Sequence, residues 1–292
     1  MGRKKSNTNQ KREWKKVLYE KQGVADHYVD DSFLSELKKN VNLRCYTLTE
    51  ALVAMTIVTQ EISCTFIFVM IFVYLDYGII TPITTLFGVG ITTFLSYILY
   101  IIIEWKISFK FKTISKIFSE CKSFMIFLIF GYGLSPILKT LTETISTDTI
   151  YAMVTCTMIT HIVFQDYGAD AAIVSSTLSL NAAIFGAVCL ASRLPSTTHA
   201  FTLLTSAAGI FVLAPFMRKT IQKVSLKLQT IVSIILTIIA LIAIGSISYI
   251  CAILFILLIF FINFICPAGF IYCQKYKENI YGPWDEAVIK DS

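Results

Sequence analysis

The chain contains apolar blocks that are each long enough to cross a lipid bilayer. The longest, residues 226–271, holds a single charged residue, Lys227. A helix of about 20 apolar residues spans the hydrocarbon core of a membrane. Only 15% of all residues are charged, against about 25% in soluble domains. The sequence therefore predicts an all-α fold, a polytopic transmembrane helical bundle.

The hydropathy pattern predicts about eight spans. The third block contains Gly131, Gly133 and Pro136, and it is as short as the fourth. We therefore expect that either of these two can be broken or can cross only part of the membrane, which is tolerated where protein or water covers the backbone. The spans are predicted at about 51–75, 79–103, 121–137, 150–165, 171–190, 199–217, 228–248 and 250–272.

The distribution of basic residues predicts the orientation. With the N-terminus in the cytosol, all of the 25 Lys and Arg residues except Lys139 and Arg193 fall on the cytosolic side. Cytosolic loops of membrane proteins carry such an excess, so we expect both termini to be cytosolic. The layout divides the chain into a basic arm with short amphipathic helices (1–50), a membrane body (51–272) and a cytosolic tail (273–292). Because the positive charge follows the membrane boundaries, it indicates anionic lipid rather than nucleic acid as a partner.

No catalytic, cofactor or metal signature is present. The eight cysteines form no C-x-x-C pair, which predicts free thiols rather than a metal site. The pair His161 and Asp166 has the H-x-x-x-x-D spacing of some acyltransferases, but its companion motifs are missing. No D-x-D, P-loop or glycine-rich phosphate turn occurs. We therefore predict no site for a nucleotide sugar, no cofactor and no metal.

Small residues recur every four positions in the fifth span. Such a ridge lets another helix approach closely in lipid. We expect it to pack within this chain, although contact with a different protein of a complex is the open alternative. The ridge consists of Ser175, Ser179, Ala183, Ala187 and Ala191.

Three polar residues lie inside predicted spans: Glu61, His161 and Asn263. An ionisable side chain at membrane depth is costly and is a functional-site hypothesis by default. The alternative for Glu61 is a protonated carboxyl that bonds a neighbouring helix. His161 and Asn263 are interpreted as packing groups.

Long segments of the chain resemble one known family. They are LKTLTETISTDTIYAM (138–153), DYGADAAIVSSTLSLNAAIFGAVCLASRLP (166–195) and KENIYGPWDEA (277–287), and the opening WKKVLYEKQGVADHYVDDSFLSELKKN (14–40) fits as well. These segments resemble the PIG-C family, whose members are subunits of phosphatidylinositol N-acetylglucosaminyltransferase.

The resemblance implies a role in the first step of glycosylphosphatidylinositol (GPI) anchor synthesis, at the endoplasmic reticulum membrane. In that step N-acetylglucosamine moves from UDP to phosphatidylinositol. The resemblance further implies that the glycosyltransferase fold belongs to another subunit, PIG-A, and that PIG-C is a non-catalytic membrane partner. A stand-alone lipid-modifying enzyme and a lipid transporter or scramblase are the alternatives. Asp148, Asp166 and Arg193, which are charged and near membrane boundaries, are candidates for a lipid site or for structural roles.

Overall fold

The computed structural model of the chain describes residues 38–40, 45–108, 114–168, 174–278 and 280–281. Within these ranges the fold is helical, apart from one pair of two-residue strands. The helices are α1 (Leu48–Asp76), α2 (Pro82–Ser108), α3 (Ile114–Thr140), α4 (Thr147–Phe164), α5 (Ser176–Ala191), α6 (Thr197–Ala207, continued by Ala208–Leu213 and Ala214–Val224), α7 (Leu226–Ile247) and α8 (Tyr249–Phe260, continued by Phe261–Ile265 and Cys266–Gln274).

Five of these helices are long and apolar enough to cross a membrane: α1, α2, α6, α7 and α8. Helices α4 and α5 are shorter, with 18 and 16 residues. In α3 the apolar part is Met125–Thr140, and the helix continues unbroken through Gly131, Gly133 and Pro136. The chain is thus a helical membrane protein with five candidate spans among its described residues, and the eight-span layout and its orientation stay predictions.

Helix α1 lies between the two apolar clusters of the membrane body. Its start is fixed by a capping box, in which the Thr47 hydroxyl accepts from Glu50 N and the Glu50 carboxylate accepts from Thr47 N. Phe68 and Phe72 of α1 belong to a cluster with α4, α5 and α6. Ile62 of α1 belongs to a second cluster with α7 and α8. The middle of α1 therefore faces protein on both sides.

The two π-helical segments each end just before a proline. The π-helical turns of α6 are Ala208–Leu213, and Pro215 follows. Those of α8 are Phe261–Ile265, and Pro267 follows. Proline lacks an N–H and its ring clashes with the carbonyl four residues earlier. A wider turn relieves this clash and is a common adjustment inside long helices.

The stretch between the sixth and seventh predicted spans, residues 218–227, is largely helical. Helix α6 extends to Val224, and Ser225 alone separates it from α7. The Ser225 hydroxyl accepts from Leu228 N and caps the start of α7. Ser248 caps α8 in the same way after α7 ends. Arg218, just past the predicted end of the sixth span, is therefore part of α6 and is buried.

The chain divides into two compact units, Thr47–Ile271 and the pair of segments Met1–Tyr46 with Tyr272–Ser292. In the second unit β1 (Lys38–Lys39) pairs antiparallel with β2 (Ile280–Tyr281). The Gln274 side-chain oxygen there accepts from Tyr46 N at 2.8 Å. The predicted amphipathic helices of the arm and most of the predicted tail lie outside the described residues, so the division 1–50, 51–272 and 273–292 stays a prediction.

Candidate functional site

A buried cluster of three ionisable side chains joins α1, α4 and α6. Glu61 is fully buried in α1. His161 Nε2 lies 2.9 Å from Glu61 Oε1, and Arg218 Nη1 forms an ion pair with Glu61 Oε2. His161 is 1% exposed and Arg218 is 7% exposed. Buried charges are normally paired in this way, because an isolated one costs several kcal/mol.

His161 contacts both Glu61 and α5 through its ring nitrogens. Nε2 lies 2.9 Å from Glu61 Oε1. Nδ1 lies 3.1 Å from the carbonyl oxygen of Ser179 and 2.8 Å from the Ser179 hydroxyl, which also lies within hydrogen-bond distance of His161 O and the Gln165 side-chain oxygen. Nδ1 can donate to the carbonyl or accept from the hydroxyl, so these contacts suit either tautomer of His161.

The ion pair of Glu61 and Arg218 balances charge within the cluster. A neutral His161 that donates from Nε2 to Glu61 leaves one negative charge on Glu61 and one positive charge on Arg218. A second proton, on His161 or on Glu61, would leave an excess cation.

One edge of the Arg218 guanidinium has no partner among the residues that the structure describes. Nη1 is used for Glu61, while Nε and Nη2 are buried and form no hydrogen bond within the described part of the chain. The Nε–H bond and one Nη2–H bond are parallel, and together they form the fork that binds a carboxylate or a phosphate side-on. Arg218 therefore presents a complete oxyanion-binding edge that the described residues leave unused.

A second, more exposed ion pair lies next to this edge. Lys219 Nζ is 2.7 Å from Asp166 Oδ2, with side chains 51% and 29% exposed. Asp166 Oδ1 also accepts from Gly168 N at 2.9 Å, in a turn that uses a positive φ of 86° at the glycine. The hydrogen bond from Lys219, helped by that of Gly168, holds the pKa of Asp166 below its usual value.

A small cavity of about 10 Å³ connects the two ion pairs. It has room for about one water molecule. Tyr167, at its wall, donates to Ile162 O at 2.7 Å, and burial raises the pKa of its hydroxyl. Most of the lining side chains are polar, and they come from α1, from α6 and from the segment that follows α4: Ile57, Glu61, Gln165, Asp166, Tyr167, Pro215, Arg218, Lys219 and Gln222.

The structure brings together some of the residues singled out in the sequence and separates others. Glu61, His161 and Asp166 lie at one end of the α4–α5 pair. Asp148 is exposed in the first turn of α4, at the other end. Arg193 is there too: it donates to Ser192 Oγ at 3.2 Å and to Thr142 O at 2.5 Å. Asp148, Asp166 and Arg193 therefore do not form one site.

Asn263 belongs to a different contact. Its amide donates to Thr59 Oγ1 at 2.8 Å and to Ile259 O at 2.9 Å, so it links the π-helical part of α8 to α1. It lies outside the cavity lining that Glu61 and Arg218 share.

The small-residue ridge of α5 is buried against α4. Ser179, Ala183, Ala187 and Ala191 have no exposed surface, and Ser175 forms the N-cap of α5. Gly186, next to the ridge, lies so close to α4 that an added Cβ would come within 2.8 Å of Thr157 Oγ1. The ridge thus positions Ser179, which in turn orients His161.

Sequence reasoning missed Arg218 and Lys219, since both lie just past the predicted end of a span, among the basic residues that were counted only for orientation. It also missed Gln60 and Gln229, whose buried side chains hydrogen-bond between α1 and α7. One signal was available: Glu61 within a span requires a cation, and Arg218 directly follows a predicted span. Among the described residues no group of three or more His, Cys, Asp or Glu could hold a metal ion.

Comparison with known proteins gives long matches. The family model described as GPI2, phosphatidylinositol N-acetylglucosaminyltransferase, matches residues 14–285. The PIG-C subunit of phosphatidylinositol N-acetylglucosaminyltransferase from Mus musculus is 45% identical over 279 residues, which cover 95% of this chain and 93% of the mouse protein. A putative counterpart from Dictyostelium discoideum is 37% identical, covering 94% of this chain and 79% of that protein.

A GPI2 subunit of the same transferase from Schizosaccharomyces pombe is 32% identical, covering 96% of this chain and 88% of the yeast protein. No solved structure matches the chain.

Proposed function

Since this chain belongs to the GPI2 family of phosphatidylinositol N-acetylglucosaminyltransferase subunits, we propose that it is the PIG-C membrane subunit of such a transferase. The observation that carries the proposal is the match over nearly the whole length, at 45% identity to the mouse protein. In this role the chain takes part in the transfer of N-acetylglucosamine from UDP to phosphatidylinositol, at the start of GPI-anchor synthesis.

Within that complex the chain is a non-catalytic partner of the glycosyltransferase subunit, PIG-A. Two features support this. The sequence has no nucleotide-sugar motif, and the described residues form helices without the βαβ units on which nucleotides are commonly bound. Many polar side chains of the described membrane body bond one another between helices, from α1 to α4, α6, α7 and α8 and from α4 to α5. The chain acts there by assembly and by holding lipid.

The place of action is the endoplasmic reticulum membrane, with the reaction on the cytosolic face. The family resemblance supports this location, and the basic residues of the chain support a cytosolic position for both termini. The ion pair of Asp166 and Lys219 then lies at the cytosolic end of the bundle, where the lipid substrate meets the donor sugar.

Complementation tests the proposal. Cells that lack their own PIG-C are given this chain, and GPI-anchored protein at the cell surface is measured. We expect restored surface display and co-purification of the catalytic subunit with the chain in mild detergent. Failure of both in cells that make the chain at normal levels would contradict the proposal.

A second arm addresses catalysis directly. The purified chain alone, and the complex that contains it, are supplied with UDP-N-acetylglucosamine and phosphatidylinositol. We expect transfer only from the complex. Transfer by the single chain would show that it is itself an enzyme and would overturn the non-catalytic role.

A further inference from the structure

The buried guanidinium of Arg218 has two donors without a partner among the described residues. Nη1 is used for Glu61, whereas Nε and Nη2 are buried and form no hydrogen bond there, and Asp166 is already paired with Lys219. A buried donor that is left unsatisfied is destabilising. The structure therefore calls for an acceptor close to Arg218 that the described residues do not supply, and an anion suits a cationic donor best.

The free edge of Arg218 specifies the shape of that anion. Nε and Nη2 are both buried without a partner among the described residues, and they offer two parallel N–H donors. Two oxygens of one phosphate or carboxylate group match this fork, whereas a single chloride or hydroxyl does not use both donors well. The side chain is 7% exposed and held by Glu61, so the fork is preorganised before a ligand arrives.

The surroundings favour a phosphate group that arrives from the membrane boundary. The cavity at the fork is also lined by Lys219 and Asp166, whose exposed ion pair closes its outer side. Exposed pairs of this kind are weak, so the pair opens readily and frees Lys219 as a second cation. Helices α4 and α6 end close to this level, where lipid head groups are the concentrated source of phosphate.

We propose that the Nε–Nη2 edge of Arg218, with Lys219, binds the phosphate ester of a membrane phospholipid. The ester oxygens take the water-sized volume of the cavity and accept from Nε and Nη2 of Arg218. Lys219 exchanges Asp166 for the phosphate, and the segment containing Gln165 and Tyr167 moves aside to admit it. The inference rests on the proposed function only in choosing phosphatidylinositol as the probe lipid.

Lipid retention on the full chain tests the site. The chain is purified in mild detergent with added phosphatidylinositol, and bound lipid is counted by native mass spectrometry. Arg218→Lys keeps a cation beside Glu61 but removes the fork, so we expect retention to fall about tenfold, the effect of losing a charge-assisted hydrogen bond. Lys219→Gln changes a side chain that is half-exposed, so we expect the variant to fold. It should lower lipid retention by about twofold or more.

Lys227→Gln is the matched control. It removes one positive charge from an exposed position at the start of α7, and we expect wild-type retention. Equal retention in wild type, Arg218→Lys and Lys219→Gln would overturn the site and would assign the edge of Arg218 to a bound water.

Two further probes separate lipid phosphate from free phosphate. Diacylglycerol has the same acyl chains without the phosphate, and we expect it not to be retained. Inorganic phosphate at about ten times the concentration of the lipid should not displace phosphatidylinositol, because it lacks the apolar burial of the acyl chains. Displacement by inorganic phosphate that depends on Arg218 would overturn the lipid assignment.

Kinetics of the assembled complex provide an independent readout. Arg218→Lys should raise the KM for phosphatidylinositol about tenfold and leave the KM for UDP-N-acetylglucosamine unchanged, as expected for lost lipid binding. If Arg218 had only a structural role, Arg218→Lys would instead lower the yield of assembled complex. The loss of activity would then be the same with respect to both substrates. If complementation fails while the chain still retains lipid, the proposed function alone is contradicted.

Discussion

At the scale of single residues, the membrane body depends on how Glu61 is paired. Its carboxylate has two cationic or proton-donating neighbours on different helices, His161 on α4 and Arg218 on α6. In a buried pair, the removal of one partner costs more than the removal of both, because the remaining charge is left uncompensated. Glu61 is therefore expected to couple three helices rather than to stabilise α1 alone.

A double-mutant cycle on Glu61 and Arg218 measures this coupling. Glu61→Gln or Arg218→Gln alone should destabilise the folded chain by about 3–5 kcal/mol. The double variant should cost less than the sum of the two single variants, since it leaves no unpaired charge between these residues. Unfolding by a denaturing detergent gives the free energies. Strictly additive effects would show that the two side chains do not interact.

The exposed pair of Asp166 and Lys219 should behave differently with pH. The lowered pKa of Asp166 means that its stabilising effect is present above its ordinary pKa of 3.8 and is lost as the pH falls through the lowered value. Asp166→Asn should cost less than about 1 kcal/mol at neutral pH, because the pair is exposed.

Melting temperatures of wild type and Asp166→Asn, followed from pH 7 to about pH 3, check the expectation. The two curves should converge at the acid end. A difference that persists unchanged below the ordinary pKa of Asp166 would contradict the role of its charge.

The sequence was sufficient to single out Glu61, since a carboxylate within a span is rare for a physical reason. It was insufficient to find the partners. His161 lies 100 residues from Glu61 along the chain, and the periodicity of residues within one helix does not predict a contact at such a sequence separation. Arg218 was hidden because basic residues at a span end ordinarily mark a loop, and only the packing of α6 beside α1 shows otherwise.

At the scale of elements, the small-residue ridge and the prolines act on helix packing. The ridge brings α5 close to α4 and so places Ser179 beside His161. Its spacing was visible in the sequence as a repeat of four. The π-helical segments before Pro215 and Pro267 were not predicted, although both prolines lie within predicted spans, because a proline indicates a disturbed helix without specifying its geometry.

Overpacking tests the ridge. Ala183→Leu adds bulk at a position without exposed surface, and we expect a loss of about 1–3 kcal/mol together with a lower yield of complex. Ala152→Leu is the same substitution at an exposed position on α4, and Ile234→Leu changes an exposed side chain of α7 without adding bulk. Both should fold and assemble as wild type. Equal yields for all three variants would show that close packing at the ridge is not required.

At the scale of the whole molecule, the charge and hydropathy of the sequence predict more of the structure than its chemical motifs do. Each of the eight predicted spans overlaps a helix, yet only five helices of the described chain satisfy both length and hydropathy for crossing. The difference arises in α3, α4 and α5, which carry the polar stretches of the sequence. Helix α5 (Ser176–Ala191) and the part Met125–Thr140 of α3 are apolar but shorter than 18 residues, so their length rather than their hydropathy excludes them.

Glycosylation mapping tests the orientation. An acceptor site inserted after Tyr77, the exposed residue that follows α1, should be modified if this end faces the lumen. An acceptor near Ser115, at the start of α3, should stay unmodified. The reverse pattern would invert the layout, and modification at both sites would exclude an odd number of crossings between them.

If α4 and α5 cross the membrane, as the eight-span layout predicts, their shortness has a consequence for the bilayer around them. At 1.5 Å per residue, their 18 and 16 residues measure about 27 Å and 24 Å, below the typical hydrocarbon thickness of about 30 Å. Hydrophobic mismatch of this kind thins the adjoining bilayer and sorts proteins toward thin membranes. The proposed location, the endoplasmic reticulum, has a bilayer of about 27 Å, which two such spans would match better than a thicker, sterol-rich bilayer.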